Sequence, residues 1–144
     1  MKSFRFRLES VLRYRTTLAT IEEGKLALSR KQLDEATQNL EALRRSNRSI
    51  EQEVLSAQSV TGADLKALGA WQLEMKRQTQ SSLQAVEEAR IAFQQQMETV
   101  RLARRQVRLL EKLRQRRLEE WQEGFDRELE ELAASSFLSR WSYD

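Results

Sequence analysis

The sequence predicts an all-α protein in which two long helices form an antiparallel coiled-coil hairpin with a C-terminal helical overhang. The 144 residues include no Pro and only 4 Gly, the residues that most often interrupt helices. Apolar side chains recur with a seven-residue repeat along most of the chain, which is typical of coiled coils. One polar segment that contains Gly divides this repeat into two parts. We therefore expect a single coiled-coil domain over residues 1–144, with two helices and one turn.

The first helix is expected over about residues 5–57, because one core position of the repeat is apolar from Leu12 onward except at Asn47. A buried Asn can set the register of a coiled coil, but a helix that bends away from its partner there is the favoured alternative. The companion core position is polar from Arg15 to Ser29, so the seam is weak in that stretch. The two positions hold Leu12, Ala19, Leu26, Leu33, Leu40, Asn47 and Val54, and Leu8, Arg15, Glu22, Ser29, Ala36, Leu43, Ile50 and Ala57.

The turn is expected at about residues 58–63, and the second helix over about residues 64–138. Thr61 followed by Asp64 matches a capping box, which marks the start of a helix. Beyond Leu110 the repeat would place arginines in the core, and an added four-residue step restores apolar positions, so we expect a stutter. The apolar core positions of the second helix are Leu65, Leu68, Met75, Val86, Ala89, Phe93, Val100, Ala103, Val107 and Leu110.

A turn centred near residue 61 places position i opposite about 122 minus i, and apolar positions then meet along the hairpin, as with Leu40 and Leu83. The helices are expected to span roughly 80 and roughly 110 Å, so the second helix projects beyond about Arg117. An exposed apolar stripe of this kind is typical of an interaction site. The alternatives are that Phe4 and Phe6 fold back over it or that the end frays. The stripe comprises Leu118, Trp121, Phe125, Leu129 and Leu132.

Charge is concentrated at the open end of the predicted hairpin. Basic residues of both termini converge there, and acidic residues follow along the overhang. This pattern indicates either an acidic partner surface or a solvated helix face. The basic residues are Lys2, Arg5, Arg7, Arg13, Arg15, Arg101, Arg104, Arg105, Arg108, Lys112, Arg114, Arg116 and Arg117.

The composition disfavours chemistry and membrane insertion. With no Cys and no His, the chain lacks thiol and imidazole nucleophiles and the ligands of zinc sites. We expect no catalytic residues, cofactor, metal or small-molecule substrate. No apolar run is long enough to span a bilayer, so a cytoplasmic protein is expected. Nucleic-acid binding is disfavoured because few aromatics accompany the basic residues.

A second candidate surface lies close to the predicted turn. Trp71 and Met75 are four residues apart and share a helix face. Met75 belongs to the seam, whereas Trp71 lies beside it. An aromatic residue at this rim is suited either to a partner contact or to packing near the turn.

Two stretches of the chain resemble the FliJ family of flagellar export proteins, which belong to the type III export apparatus. Residues 4–15, FRFRLESVLRYR, are similar to the family's N-terminal FxFxLxxLLxxR pattern. Residues 110–113, Trp121 and residues 128–133 are similar to its C-terminal half. The sequence after Phe125 departs from the usual ending of the family, so the resemblance implies a partner contact at the C-terminus less strongly than one at the N-terminus.

The resemblance implies a stalk that inserts into the hexameric ring of the export ATPase, promotes its assembly, and contacts the export gate and export chaperones. It implies no enzymatic activity, and a cytoplasmic location at the inner face of the cell membrane at the flagellar base. The export gate would be contacted by Trp71 and Met75. The stalk of a virulence secretion system and a generic or nucleic-acid-associated scaffold remain alternatives. The ATPase would be contacted by Phe4, Phe6, Leu8, Arg104, Arg108, Leu118, Trp121 and Phe125.

Overall fold

The computed structural model of the chain describes residues 2–143 and contains two helices. Helix α1 comprises Glu9–Leu55 and helix α2 comprises Gly62–Trp141. The two helices pack against each other, which confirms the predicted all-α hairpin. Helix α1 begins about four residues later than predicted and α2 ends about three residues later. Within residues 2–143, neither helix contains an apolar stretch of the length needed to span a bilayer.

The chain divides into two compact units. Met1–Ile21 and Arg101–Asp144 form one unit, which we call the terminal unit, and Glu22–Val100 form the other, which we call the turn unit. Each unit contains a part of α1 and a part of α2. The prediction of a single domain stays a prediction.

In the turn unit, hydrogen bonds between side chains of α1 and α2 report the register of the hairpin. The Nε2 atom of Gln72 donates to Oε1 of Glu51 at 3.3 Å, one residue from the predicted pairing. The Nε2 atom of Gln96 donates to the carbonyl oxygen of Glu22 at 3.0 Å and to its Oε2 at 2.6 Å. These pairs lie within about one helical turn of the predicted register.

Four apolar residues that the sequence placed in or opposite the seam are exposed: Ile50, Ala57, Leu65 and Leu83. The core predictions for Ile50, Ala57 and Leu65 and the pairing of Leu83 with Leu40 are wrong for two reasons. Because α1 ends at Leu55, the positions nearest the turn have no opposing helix to cover them. Farther from the turn, the residue that faces the other helix is a polar neighbour of the apolar residue. Adjacent residues of a helix point about 100° apart, so only one of the two can face the seam. Half-buried Glu51 and Ser82 take the seam positions beside Ile50 and Leu83.

The start of α2 has the hydrogen bonds of the predicted capping box. The amide of Thr61 donates to Oδ2 of Asp64 at 3.1 Å, and the amide of Asp64 donates to Oγ1 of Thr61 at 3.1 Å. The hydrogen bond from the Thr61 amide, with that from its hydroxyl group, lowers the pKa of Asp64 below its ordinary value. Two exposed backbone N–H groups at the helix terminus are thereby satisfied.

In the terminal unit, the first turns of α1 pack on α2 through a mostly half-buried seam, in which Ala19 is buried. After Leu110, half-buried positions recur at Arg114, Leu118, Trp121 and Phe125. Two consecutive four-residue steps, from 110 to 114 and from 114 to 118, correspond to the predicted stutter. Helix α2 then continues to Trp141 with every described side chain after Phe125 exposed.

Residues 2–6 are not helical, whereas the sequence predicted a helix from about residue 5. Burial alternates along this segment: Phe4, Phe6 and Leu8 are half-buried, and Arg5 and Arg7 are exposed. Alternation with period two is typical of an extended segment that lies along a surface. The first residues therefore run along α2 as an extended arm, and α1 begins only at Glu9.

Candidate functional site

The extended arm holds three aromatic rings together in the terminal unit. The rings of Phe4 and Trp121 are tilted by 57° with centroids 6.1 Å apart. Trp121 also stacks on Phe125, with centroids 5.2 Å apart. The indole Nε1 of Trp121 donates to the carbonyl oxygen of Lys2 at 3.2 Å. This aromatic clasp, Phe4 with Trp121 and Phe125, joins the N-terminus to α2.

Arg114 reinforces the clasp from the side of the helix. Its Nε donates to Oε2 of Glu9 at 3.1 Å, and its guanidinium carbon lies 5.7 Å from the centroid of the Phe4 ring. Cation–π contacts of this length contribute about 0.5–1 kcal/mol at exposed sites. The ion pair involves side chains that are about two-fifths exposed, so its main effect is to orient the first turn of α1.

An open cavity of about 1000 Å³ lies between the arm and α2. Its lining combines apolar side chains with cationic ones, so it presents a surface suited to an apolar side chain accompanied by a carboxylate. Two of the lining residues, Phe4 and Trp121, also form the ring contact between the arm and α2. The cavity is lined by Lys2, Ser3, Phe4, Arg5, Phe6, Arg7, Leu8, Leu113, Arg117 and Trp121.

The structure brings together most of the residues predicted to contact the ATPase. Six of them are half-buried in the terminal unit, whereas Arg104 and Arg108 are exposed on α2 outside the cavity lining. The expectation that Trp121 and Phe125 belong to an uncovered overhang is wrong, because Phe4 of the arm folds back onto Trp121, which in turn stacks on Phe125. The six half-buried residues are Phe4, Phe6, Leu8, Leu118, Trp121 and Phe125.

The uncovered part of α2 begins after Phe125. We call residues 126–141 the tail. Its large apolar side chains are all exposed, and Phe137 and Trp141 contact each other with centroids 6.2 Å apart. Acidic residues are interspersed with them in the first half of the tail. The exposed apolar side chains are Leu129, Leu132, Phe137, Leu138 and Trp141.

Several residues of this site were not predicted from the sequence. Lys2 acts through its main-chain carbonyl group, for which a sequence carries no signal. Glu9 and Arg114 were assigned to no specific contact, although the predicted register opposes Glu9 to position 113. The alternating apolar and basic residues of the arm were the available signal, because a helix would not place Phe4 and Phe6 on the same side.

The second predicted surface lies in the turn unit. Trp71 and Met75 are both half-buried. Trp71, but not Met75, lines an open groove of about 440 Å³ whose other walls are mostly apolar. Met75 occupies the seam between the helices, so it is less available to a partner than Trp71. The groove also involves Ile50, Glu53, Val54, Ala57, Ser59, Val60, Asp64, Ala67 and Leu68.

Comparisons of the chain with protein families, with curated proteins and with solved structures find no match. Within residues 2–143, no group of three or more acidic, His or Cys side chains is placed to hold a metal ion. The candidate site is therefore defined by its own geometry: an aromatic clasp, a cation-lined cavity and an exposed helical tail in one unit.

Proposed function

We propose that the chain is a stalk and adaptor of the flagellar type III export apparatus, without enzymatic activity of its own. In this proposal the terminal unit inserts into the hexameric export ATPase and promotes ring assembly. Trp71 and Met75 contact the cytoplasmic domain of the export gate, and the helices also engage export chaperones. The protein would act in the cytoplasm, at the inner face of the cell membrane at the flagellar base.

The observation that supports this proposal most directly is the contact between Phe4 and Trp121. Phe4 belongs to the N-terminal pattern that resembles the FliJ family, and Trp121 to the similar C-terminal stretch. The clasp places both stretches in one unit, where a single partner can contact them together. The exposed Arg104 and Arg108 add positive charge, which accelerates association with an acidic surface.

The test is a titration of the full chain into a candidate export ATPase, with hexamer formation and ATP turnover as readouts. We expect both to rise. The key variant combines Arg104→Glu with Arg108→Glu, since reversing charge on an exposed face weakens association without removing core packing. The matched control combines Arg44→Glu with Arg45→Glu, two exposed residues of the turn unit. Absence of stimulation by the unmodified chain refutes the proposal.

The role of the clasp is tested with a separate variant. Trp121→Ala is unsuitable, because it removes both the proposed partner contact and the contact with Phe4. Phe4→Leu keeps an apolar side chain on Trp121 but removes the ring contact. If stimulation depends on the clasp, we expect Phe4→Leu to weaken it while far-ultraviolet circular dichroism stays unchanged. Exposed Leu55→Ala in the turn unit is the control.

The ATPase assay, together with a nucleic-acid binding measurement, distinguishes the proposed function from two alternatives. A stalk of a virulence secretion system would stimulate the ATPase of that system and not the flagellar one. A nucleic-acid-associated scaffold would stimulate neither and would bind nucleic acid with an affinity that falls steeply with salt.

A further inference from the structure

One side of the hairpin in the terminal unit is apolar and exposed. In the heptad, Leu12 and Ala19 hold position a of α1, and Val107 holds position a of α2. Because the helices are antiparallel, positions g and c of both lie on the same side of the pair. In this unit those positions are occupied mainly by apolar residues. They are Val11, Tyr14, Leu18 and Ile21 of α1, with Leu102, Leu109 and Leu113 of α2, and we call them the apolar face; Leu18 and Leu113 are half-buried and the other five are exposed.

Most side chains of this face are exposed. Tyr14 is 59% exposed, Ile21 49%, Leu102 47% and Leu109 53%. The opposite side of the same helices is polar, with Arg13, Thr16, Thr20, Arg101, Arg104 and Arg108. A contiguous apolar area on one side only is typical of a surface that another protein covers.

The charged residues beside the apolar face indicate what kind of partner covers it. Arg105, Lys112 and Arg116 are exposed along the α2 edge of the apolar face. A complementary occupant is therefore an amphipathic helix whose apolar side chains are accompanied by carboxylates.

The tail of α2 has these properties. Its exposed Leu129 and Leu132 are accompanied by Asp126, Glu128, Glu130 and Glu131, all exposed. The helical tail is about 24 Å long, and the α2 part of the apolar face, from Leu102 to Leu113, is about 17 Å long. The tail is thus long enough to cover the face from end to end.

The tail cannot reach the face of its own molecule. Both belong to one uninterrupted helix, which holds Leu109 and Leu132 about 35 Å apart. We propose that two copies of the chain associate, with the tail of each lying antiparallel across the apolar face of the other. The arrangement is closed by a two-fold axis, so the same two surfaces are used twice and no further copies are recruited.

The first measurement is the mass of the full chain against concentration, by sedimentation equilibrium. We expect a reversible change from monomer to dimer. Leu109→Ser on the face and Leu132→Ser on the tail should each raise the dimer dissociation constant about tenfold or more, since each removes apolar contact made twice in the dimer. Leu83→Ser, at an exposed leucine of the turn unit, should leave it unchanged.

The decisive measurement exchanges charges between the two surfaces. One variant carries Glu128→Lys, Glu130→Lys and Glu131→Lys, and a second carries Arg105→Glu, Lys112→Glu and Arg116→Glu. Each alone should be monomeric, because its tail and its partner's face then have the same sign. Their mixture should form heterodimers, and a chain with all six changes should form homodimers again.

Arg44→Glu, Arg45→Glu and Arg48→Glu, a matched triple change on exposed residues of the turn unit, should not alter association. Circular dichroism verifies that each variant keeps its helices. The proposal is overturned by a chain that is monomeric at every concentration, by dimers insensitive to both sets of reversals, or by reversals that the mixture does not rescue.

Discussion

Asn47 illustrates how one polar residue reduces the stability of a coiled coil. It occupies core position a of α1 and is half-buried. Its Oδ1 is buried and, within residues 2–143, accepts no hydrogen bond. A buried polar atom without a partner costs about 1–3 kcal/mol.

Asn47→Leu is therefore expected to stabilise the protein by about 1 kcal/mol or more, because it replaces an unsatisfied amide oxygen with apolar contact. Urea unfolding followed by circular dichroism measures the change. Asn39→Leu, at an exposed position of α1, is the control and should have little effect. A loss of stability in Asn47→Leu would instead indicate that the amide makes a specific interaction in the folded protein.

Glu22 is a charged residue that connects α1 with α2 in the turn unit. The Gln96 side chain donates to its carboxylate and lowers the pKa of Glu22 below the ordinary value of 4.5, with a further contribution from Lys25. A carboxyl group whose pKa is lower in the folded state stabilises that state above the unfolded pKa. This stabilisation disappears as pH falls through the folded pKa.

We expect the melting temperature of the unmodified chain to exceed that of Glu22→Gln near neutral pH. The difference should shrink as pH falls below 4.5, because the protonated carboxyl group loses its charge-assisted hydrogen bond. Other carboxylates titrate equally in both proteins, so the difference isolates Glu22. In a Gln96→Ala background the pH dependence should be smaller, and a dependence of unchanged size would contradict the assignment to Gln96.

At the scale of elements, the two helix starts differ in how they are stabilised. Helix α2 begins with a local capping box, which residues 61–64 form without tertiary contacts. Helix α1 begins at Glu9 with an ion pair to Arg114, a residue that is distant in sequence. A local cap can be predicted from the sequence of a few residues, whereas an ion pair with a distant residue can be predicted only once the register of the hairpin is known.

Thr61→Ala should destabilise the protein by about 1 kcal/mol, because the hydroxyl group that accepts from the Asp64 amide is lost. The free energy of unfolding measured with urea tests this expectation. Thr99→Ala is the matched control: the Thr99 hydroxyl donates back to the Gln95 carbonyl within the helix, and alanine has the higher helix propensity there. An equal loss in both variants would refute a specific role of the cap.

At the scale of the whole molecule, few side chains within residues 2–143 are fully buried. Only Ala19, Leu40 and Val100 are buried apolar residues within residues 2–143. Long stretches of half-buried seam hold the helices together, and the tail has no covering element of its own unit. Stability is therefore expected to vary along α2.

Hydrogen exchange should report this variation. At low protein concentration, amides of residues 127–141 should exchange much faster than those of residues 103–114, since a helix without tertiary packing opens from its end. Mass spectrometry after deuterium labelling measures both segments. Protection of the tail that rises with protein concentration is expected from the dimer proposed above, and equal protection of the segments at high dilution would contradict an uncovered tail.

The seven-residue repeat predicted the two helices, and a short polar segment with the Thr61 and Asp64 motif predicted the turn and its capping box, because these features depend on residues close in sequence. The antiparallel pairing followed from the short turn between the two helices. The register was also predictable to within about one turn, as Glu51 with Gln72 indicates. The seam near the turn was not, since exposed Ile50 fits the repeat although half-buried Glu51 beside it takes the seam position.

What the tertiary structure decided is the state of the chain's two ends. The alternation of Phe and Arg in residues 4–7 fits an extended arm, but a sequence does not show what the arm packs against; Trp121 stabilises it through the ring contact with Phe4 and the hydrogen bond to the Lys2 carbonyl. Contacts between residues more than a hundred positions apart leave no periodic trace in a sequence. For that reason the sequence determined that α2 outruns α1, and the structure determined that its uncovered part begins only after Phe125.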